Sequence, residues 1–125
     1  MTSFLDTHAA VFLWEGRTEL FGPASRKTLE QSTLLISPMV RLELQFLKEV
    51  GKLKVEPDQL LGSLGSDLGV TMTADPMDSL VALAMSLSWT RDPFDRMIVA
   101  TALLHRTPLV TRDRLIRENF PGAVW

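Results

Sequence analysis

Four acidic residues, Asp6, Glu43, Asp95 and Asp113, are scattered along a chain of 125 residues. In a parallel α/β sheet, ligands bind in the crevice beyond the carboxyl ends of the strands; on the reading given below Asp6, Asp95 and Asp113 fall near that edge, and the side chain of Glu43 could reach it. Gathering them is unfavourable, since each pair of carboxylates ~4 Å apart repels by about 4 kcal/mol at an effective dielectric of 20. A cation must compensate. Donors that are all oxygen favour the hard ions Mg²⁺ or Mn²⁺, and Mg²⁺ held by few carboxylates keeps waters and pairs with substrate phosphates. An ion of that kind activates water for in-line attack on phosphorus. The chemistry the residues could do is therefore phosphodiester hydrolysis. Asp92, three residues before Asp95, shares its helical face and is a fifth candidate.

The elements that must position these groups follow from periodicity and punctuation. The stretch SFLDTHAAVFLW reads as a short apolar strand ending at Asp6, then a helix from Thr7 to about Gly16. Ala24 to Gln31 reads as helix, and TLLIS (33–37) as a buried strand. From Pro38 the spacing of Met39, Leu42 and Phe46 predicts a helix as far as Val50, ended by Gly51. Glu43 lies about a turn and a half into it. Pro57 to Leu68 is a helix weakened by Gly62 and Gly65, and VTMT (70–73) is a candidate strand. A helix is expected from Pro76 to about Leu87 and another from about Pro93 to Arg106. PLVT (108–111) is a strand, Arg112 to Asn119 a short helix, and AVW a final edge strand. Alternating strands and helices indicate an α/β domain with a mostly parallel sheet, and the length and hydrophobic content suit one domain over residues 1–125.

Each candidate also has a bland reading. Asp92 at an N-cap, Pro93 at the first helical position and an acid at N3 make a good helix start with no further function. Asp95 would then serve the helix dipole, and Asp6 and Asp113 would cap the helices that follow them. Glu43 would pair on the surface with Lys48 or Arg41. Taken singly each bland reading is the commoner outcome, and spacing does not decide between them. His8 and His105 suit acid–base cleavage of RNA without metal, but the commoner account is structural, His8 in a first helical turn and His105 at a helix C-terminus where an imidazolium is favourable. Trp14, Trp89, Trp125, Met39, Met85 and Met97 read as core or interface.

Composition narrows the classes. The net charge of −2 argues against indiscriminate binding of polyanions. Its distribution is uneven: residues 41–54 carry four bases against two acids, residues 91–125 six arginines against four acids, and residues 55–78 five acids and no base. One basic side could still accept nucleic acid. There is no cysteine, which removes disulfides and thiolate metal sites and fits a reducing, cytoplasmic setting. The longest stretch without a charged residue, Ser79 to Thr90, is far short of the roughly 20 apolar residues that span a bilayer, and no basic n-region precedes Asp6, so neither a membrane span nor a secretory signal is expected.

Three stretches in order, FLDTHAAVFLW, ISPMVRLELQFLKEVGKL and RDPFDRMIVATAL followed by PLVTRD, resemble the PIN-domain family, and within it the small VapC-like toxin ribonucleases of toxin–antitoxin pairs. The D-T-H element is weak alone; the last two together are quite specific. The resemblance implies a three-layer α/β/α sandwich. It matches Asp6, Glu43 and Asp95 to the first three acids, Asp113 to a more variable fourth and Thr111 to a frequent hydroxyl beside it, with Thr111 and the neighbouring Arg96 as substrate contacts. It further implies a Mg²⁺- or Mn²⁺-dependent endoribonuclease acting on tRNA or ribosomal RNA and leaving 5′-phosphate and 3′-hydroxyl ends. Its partners would be a small antitoxin that inserts a segment into the active-site groove and, as in many members, a second copy of the chain. A receiver-type phosphoacceptor fits poorly, because Asp6 is followed by Thr7 and no lysine occurs after Lys54. A haloacid-dehalogenase-like phosphatase would need D-x-D where this chain has Asp6-Thr7-His8. The stronger rival is a non-catalytic module that keeps the fold and uses its groove for a partner protein.

Overall fold

The computed structural model describes residues 1–125 and arranges them as five strands and seven α-helices: β1 (Thr2–Leu5), α1 (Thr7–Trp14), α2 (Pro23–Gln31), β2 (Thr33–Ile36), α3 (Pro38–Glu49), α4 (Pro57–Leu68), β3 (Thr71–Met72), α5 (Met77–Met85), α6 (Pro93–His105), β4 (Leu109–Val110), α7 (Arg114–Asn119) and β5 (Ala123–Val124). The strands lie in the order β3-β2-β1-β4-β5, and every neighbouring pair is parallel. β1 is central. Ser3, Phe4 and Leu5 are each fully buried, as are Leu109 and Val110, and since successive side chains point to opposite faces, both faces of the sheet must be covered. That is the expected three-layer α/β/α sandwich. The buried hydroxyl of Ser3 is satisfied by Ser32 Oγ at 2.9 Å.

α6 is buried on consecutive positions from Ile98 to Ala102, which a helix tolerates only when packed on more than one side. It lies against α3 and α5. This placement explains why the residues after Asp95 are almost all apolar. No helix is long and apolar enough to cross a membrane.

Several boundaries move. α1 stops at Trp14, and Gly16, at φ +71°, sits in the turn after it rather than in the helix. The second strand ends at Ile36, because Ser37 leaves the ladder to cap α3 by accepting from Met39 N–H at 3.1 Å. β3 is two residues, not four, and both are exposed at the sheet edge. α5 is shorter at both ends, Met77–Met85, with Pro76 outside it. A 3-10 turn at Thr18–Leu20 carried no periodic signal. Met85, read as core or interface, is 74% exposed, whereas Met39, Met97, Trp89 and Trp125 pack on the core.

The C-terminal segment is stitched to α2 at a point without room for a side chain. Ser25 N–H donates to the Trp125 main-chain oxygen at 2.9 Å, and a Cβ on Gly22 would lie 2.6 Å from that oxygen and 2.9 Å from its carbon. Gly22→Ala is expected to destabilise the fold by roughly 1–3 kcal/mol, the usual cost of forcing atoms into filled space. Urea unfolding measures it; an unchanged midpoint would contradict the close approach.

Candidate active site

The strand order reverses at β1, whose neighbours are β2 on one side and β4 on the other. The carboxyl ends of β1 and β4 therefore flank a topological switch point. Asp6 follows β1 directly and holds the ladder there, its N–H donating to Val110 O at 3.1 Å. Asp113 follows β4 after Thr111 and Arg112. α3, fed by β2, brings Glu43, and the start of α6 brings Asp92 and Asp95. A cavity of about 280 Å³ is lined by Asp6, Thr7, His8, Glu43, Asp92, Asp95, Ile98, Arg112 and Asp113. All four predicted carboxylates, and the fifth, face one hollow.

The bland readings hold for three of the five, and they do not compete with convergence. Asp6 caps α1 through Oδ1 on Ala9 N–H at 2.8 Å. Asp113 caps α7 through Oδ1 on Ile116 N–H at 2.9 Å. Asp92 caps α6, its Oδ1 accepting from Phe94 N–H at 2.8 Å and Asp95 N–H at 3.2 Å. Each cap fixes a rotamer with one oxygen and turns the carboxylate towards the end of its helix, which is where the cavity lies. For Glu43 the bland reading fails. Arg41 makes a two-pronged pair with Asp58, at 2.8 and 2.9 Å, and Lys48 pairs with Glu56, so neither base reaches Glu43. Its Oε1 accepts instead from the Thr7 hydroxyl.

Crowding shows in the acid equilibria. Burial raises the pKa of Asp6, opposed by hydrogen bonding to the Thr111 hydroxyl and to Ala9 N–H and by the charge of His8, while Asp113 adds to the rise. Glu43 is raised by partial burial, with Thr7 opposing and Asp92 and Asp6 contributing. Asp95 is pushed from 3.8 up to about 7, first by burial and then by the charges of Asp92, Asp113, Glu43 and Asp6. Unlike the three caps, it accepts no hydrogen bond from a backbone N–H that would hold its proton off. At neutral pH this group is poised between charge and neutrality, waiting for a proton or a cation. As the side chains stand, no three of them close round one point. The fit to a divalent ion is thus one of chemistry: five carboxylates as hard oxygen donors against the one guanidinium of Arg112, and an electrostatic strain that a cation would relieve.

Two predicted substrate contacts are corrected. Arg96 turns away from the cavity: its Nε donates to Thr90 O at 2.9 Å and its guanidinium lies by Ala84, Met85 and Pro93. One residue along a helix is a rotation of about 100°, so the neighbour of an inward Asp95 faces the flank occupied by α5. Thr111 is fully buried and cannot touch a substrate. Its Oγ1 accepts from Asp113 N–H at 3.1 Å and its hydroxyl supports Asp6, so it positions both acids. His105 does more than end a helix, since it bonds Asp75 Oδ1 at 2.7 Å and packs edge-on to Phe4. Thr7, His8 and Arg112 belong to the cavity and were not selected from the sequence. Their signal was adjacency, because each sits beside a candidate acid in D-T-H or T-R-D.

Comparison with known proteins agrees with this architecture. The PIN domain family matches residues 3–119. Ribonuclease VapC22 of Mycobacterium tuberculosis is 29% identical, the alignment covering 99% of this chain and 98% of that protein. Among solved structures, a toxin–antitoxin complex from Klebsiella pneumoniae superposes with a TM-score of 0.70 at 22% identity, covering 99% of this chain and 97% of the other. VapBC2 from Rickettsia felis, bound to a DNA fragment from its promoter, superposes at 0.67 and 20% identity over 100% of both chains. With a parallel sheet in this order, a carboxylate-lined hollow at its switch point and a family match over nearly its whole length, the chain belongs to the PIN-domain family.

Proposed function

We propose that residues 1–125 form one PIN domain that acts as a metal-dependent endoribonuclease, the toxin of a toxin–antitoxin pair. The observation that carries the reading is the meeting of Asp6, Glu43, Asp92, Asp95 and Asp113 in one hollow, where burial and then the neighbouring charges push Asp95 up to about 7. The similarity to a protein named ribonuclease VapC22 supports RNA, tRNA or ribosomal RNA by family, as the substrate.

Asp6, Glu43, Asp95 and Asp113 would hold Mg²⁺ or Mn²⁺, which when bound supplies activation of water and charge stabilisation at phosphorus. Thr7 fixes the rotamer of Glu43, Thr111 fixes Asp113 and Asp6, and Asp92 aims α6 while adding negative charge beside Asp95. The likeness to toxin–antitoxin complexes supports a small antitoxin as partner. Leu42 and Phe46 of α3 and Val50 just after it, each about half exposed and spaced by four, offer apolar surface to that partner or to a second copy.

The test is to incubate the purified chain with total RNA with and without EDTA and to map the product ends. Cleavage should require Mg²⁺ or Mn²⁺ and leave 5′-phosphate and 3′-hydroxyl ends. Cleavage that survives the chelator and leaves cyclic phosphates would move the chemistry to histidine. No cleavage of any RNA, with retained antitoxin binding, would make the chain a binding module.

A further inference from the structure

Arg112 is the only guanidinium on the wall of the acidic hollow. An exposed arginine among five carboxylates would ordinarily pair with one of them. It pairs with none, since none of the salt bridges of the molecule includes it. Instead its guanidinium lies over the ring of Phe12, 4.8 Å from the centroid. That contact holds the planar group in place by cation–π attraction and leaves its N–H donors unused, a geometry suited to the fork recognition of a phosphate.

Phe12 also marks a boundary. Its ring meets Trp125 at 6.4 Å between centroids, and Trp125 lines a second hollow of about 690 Å³ together with Arg114 and Arg117 of α7. Arg117 has no carboxylate partner, whereas Arg114 is tied to Glu118 at 2.8 Å. The buried ring of Phe12 thus touches Arg112 of the acidic hollow on one side and Trp125, of the hollow that holds Arg114, Arg117 and Glu118, on the other.

Resting on the endoribonuclease reading above, we propose that Arg112 grips an RNA phosphate next to the one cleaved, and that the strand continues past Arg112 towards the hollow of Arg117 and Trp125. The acids serve the reacting phosphate through their cation, while these arginines serve its neighbours directly. Single-stranded RNA suits the path, because an open backbone can pass from cavity to cavity and a base can stack on the indole.

The experiment compares wild type with Arg112→Ala, Arg112→Lys and Arg117→Ala. Anisotropy of a labelled single-stranded RNA in EDTA, over a KCl series, reads binding, and steady-state cleavage with Mn²⁺ reads kcat/KM. For Arg112→Ala, kcat/KM should fall roughly 10- to 100-fold, as expected for loss of a charge-assisted hydrogen bond. Its slope of log affinity against log salt should become shallower by ~0.7, the value of one phosphate contact on a single strand. Arg112→Lys should keep the slope but not the full rate, and Arg117→Ala should lose slope with a smaller loss of rate. Melting temperature should fall by no more than a few degrees, the share of one exposed cation–π contact. Wild-type cleavage with an Arg112→Ala slope and rate equal to wild type would overturn this inference alone. A wild type that cleaves no RNA would overturn the reading beneath it as well.

Discussion

Asp95→Asn is expected to abolish RNA cleavage and, in the same protein, to raise the stability of the metal-free fold. Both effects have one cause. Asp95 is half-buried on the first turn of α6 and is pushed up to about 7 by burial and by four neighbouring carboxylates. At pH 8 its ionised form adds a charge that the fold resists. Asparagine is nearly isosteric, removes that charge and leaves the Asp92 cap in place, since the cap accepts from the backbone N–H of residue 95. Relief on the order of 1 kcal/mol would move Tm by roughly 3–6 °C in a domain of this size. The loss of activity should exceed the ~10–100-fold that removal of an outer-shell partner costs a metal site, because the proposed site would lose a direct ligand. A variant that is both more stable and inactive separates function from folding. Retained cleavage, or a fall in Tm at pH 8, would contradict the role given to this carboxylate.

The second large effect is a reversal of pH dependence by metal. Asp6, Glu43 and Asp95 all have raised pKa values in the folded state. Between the unfolded carboxylate range, about 4, and the folded value near 7 of Asp95, the folded state binds more protons than the unfolded one. Stability must then fall as pH rises through that window and level off above it. On the proposed reading a divalent ion would compete with those protons and bind the folded state alone. At about 100 times its dissociation constant it contributes about 2.7 kcal/mol, on the order of 10 °C in Tm. Thermal scans from pH 5 to 8 should show the EDTA-treated protein losing stability with pH. With saturating Mn²⁺ the loss should vanish, and the gain from metal should be larger at pH 8 than at pH 5. A Tm indifferent to both pH and metal would mean that the carboxylates do not form one electrostatic unit.

These expectations also show where reading a sequence reaches its limit. By itself the sequence determined the alternation of strands and helices, the caps at Asp6, Asp92 and Asp113, the punctuation by Pro93 and Gly51, and the set of acids near the carboxyl edge of the sheet. All of these are local: a cap bond spans two or three residues, and a periodicity is visible in one window. Only the tertiary structure decided what each side chain does with its remaining capacity. Glu43 has no basic partner because Arg41 is taken by Asp58 and Lys48 by Glu56, both on the far side of a turn, and it turns to the Thr7 hydroxyl instead. Arg96 is lost to the site because the Thr90 carbonyl, in the loop before α6, and the Ala84 carbonyl, on the α5 flank, claim its donors. Thr111 is sealed inside, and Arg112 rests on a ring contributed by α1. Hydrogen-bond donors and acceptors are few and each is claimed once, so which partner wins depends on distances that exist only after the helices have packed.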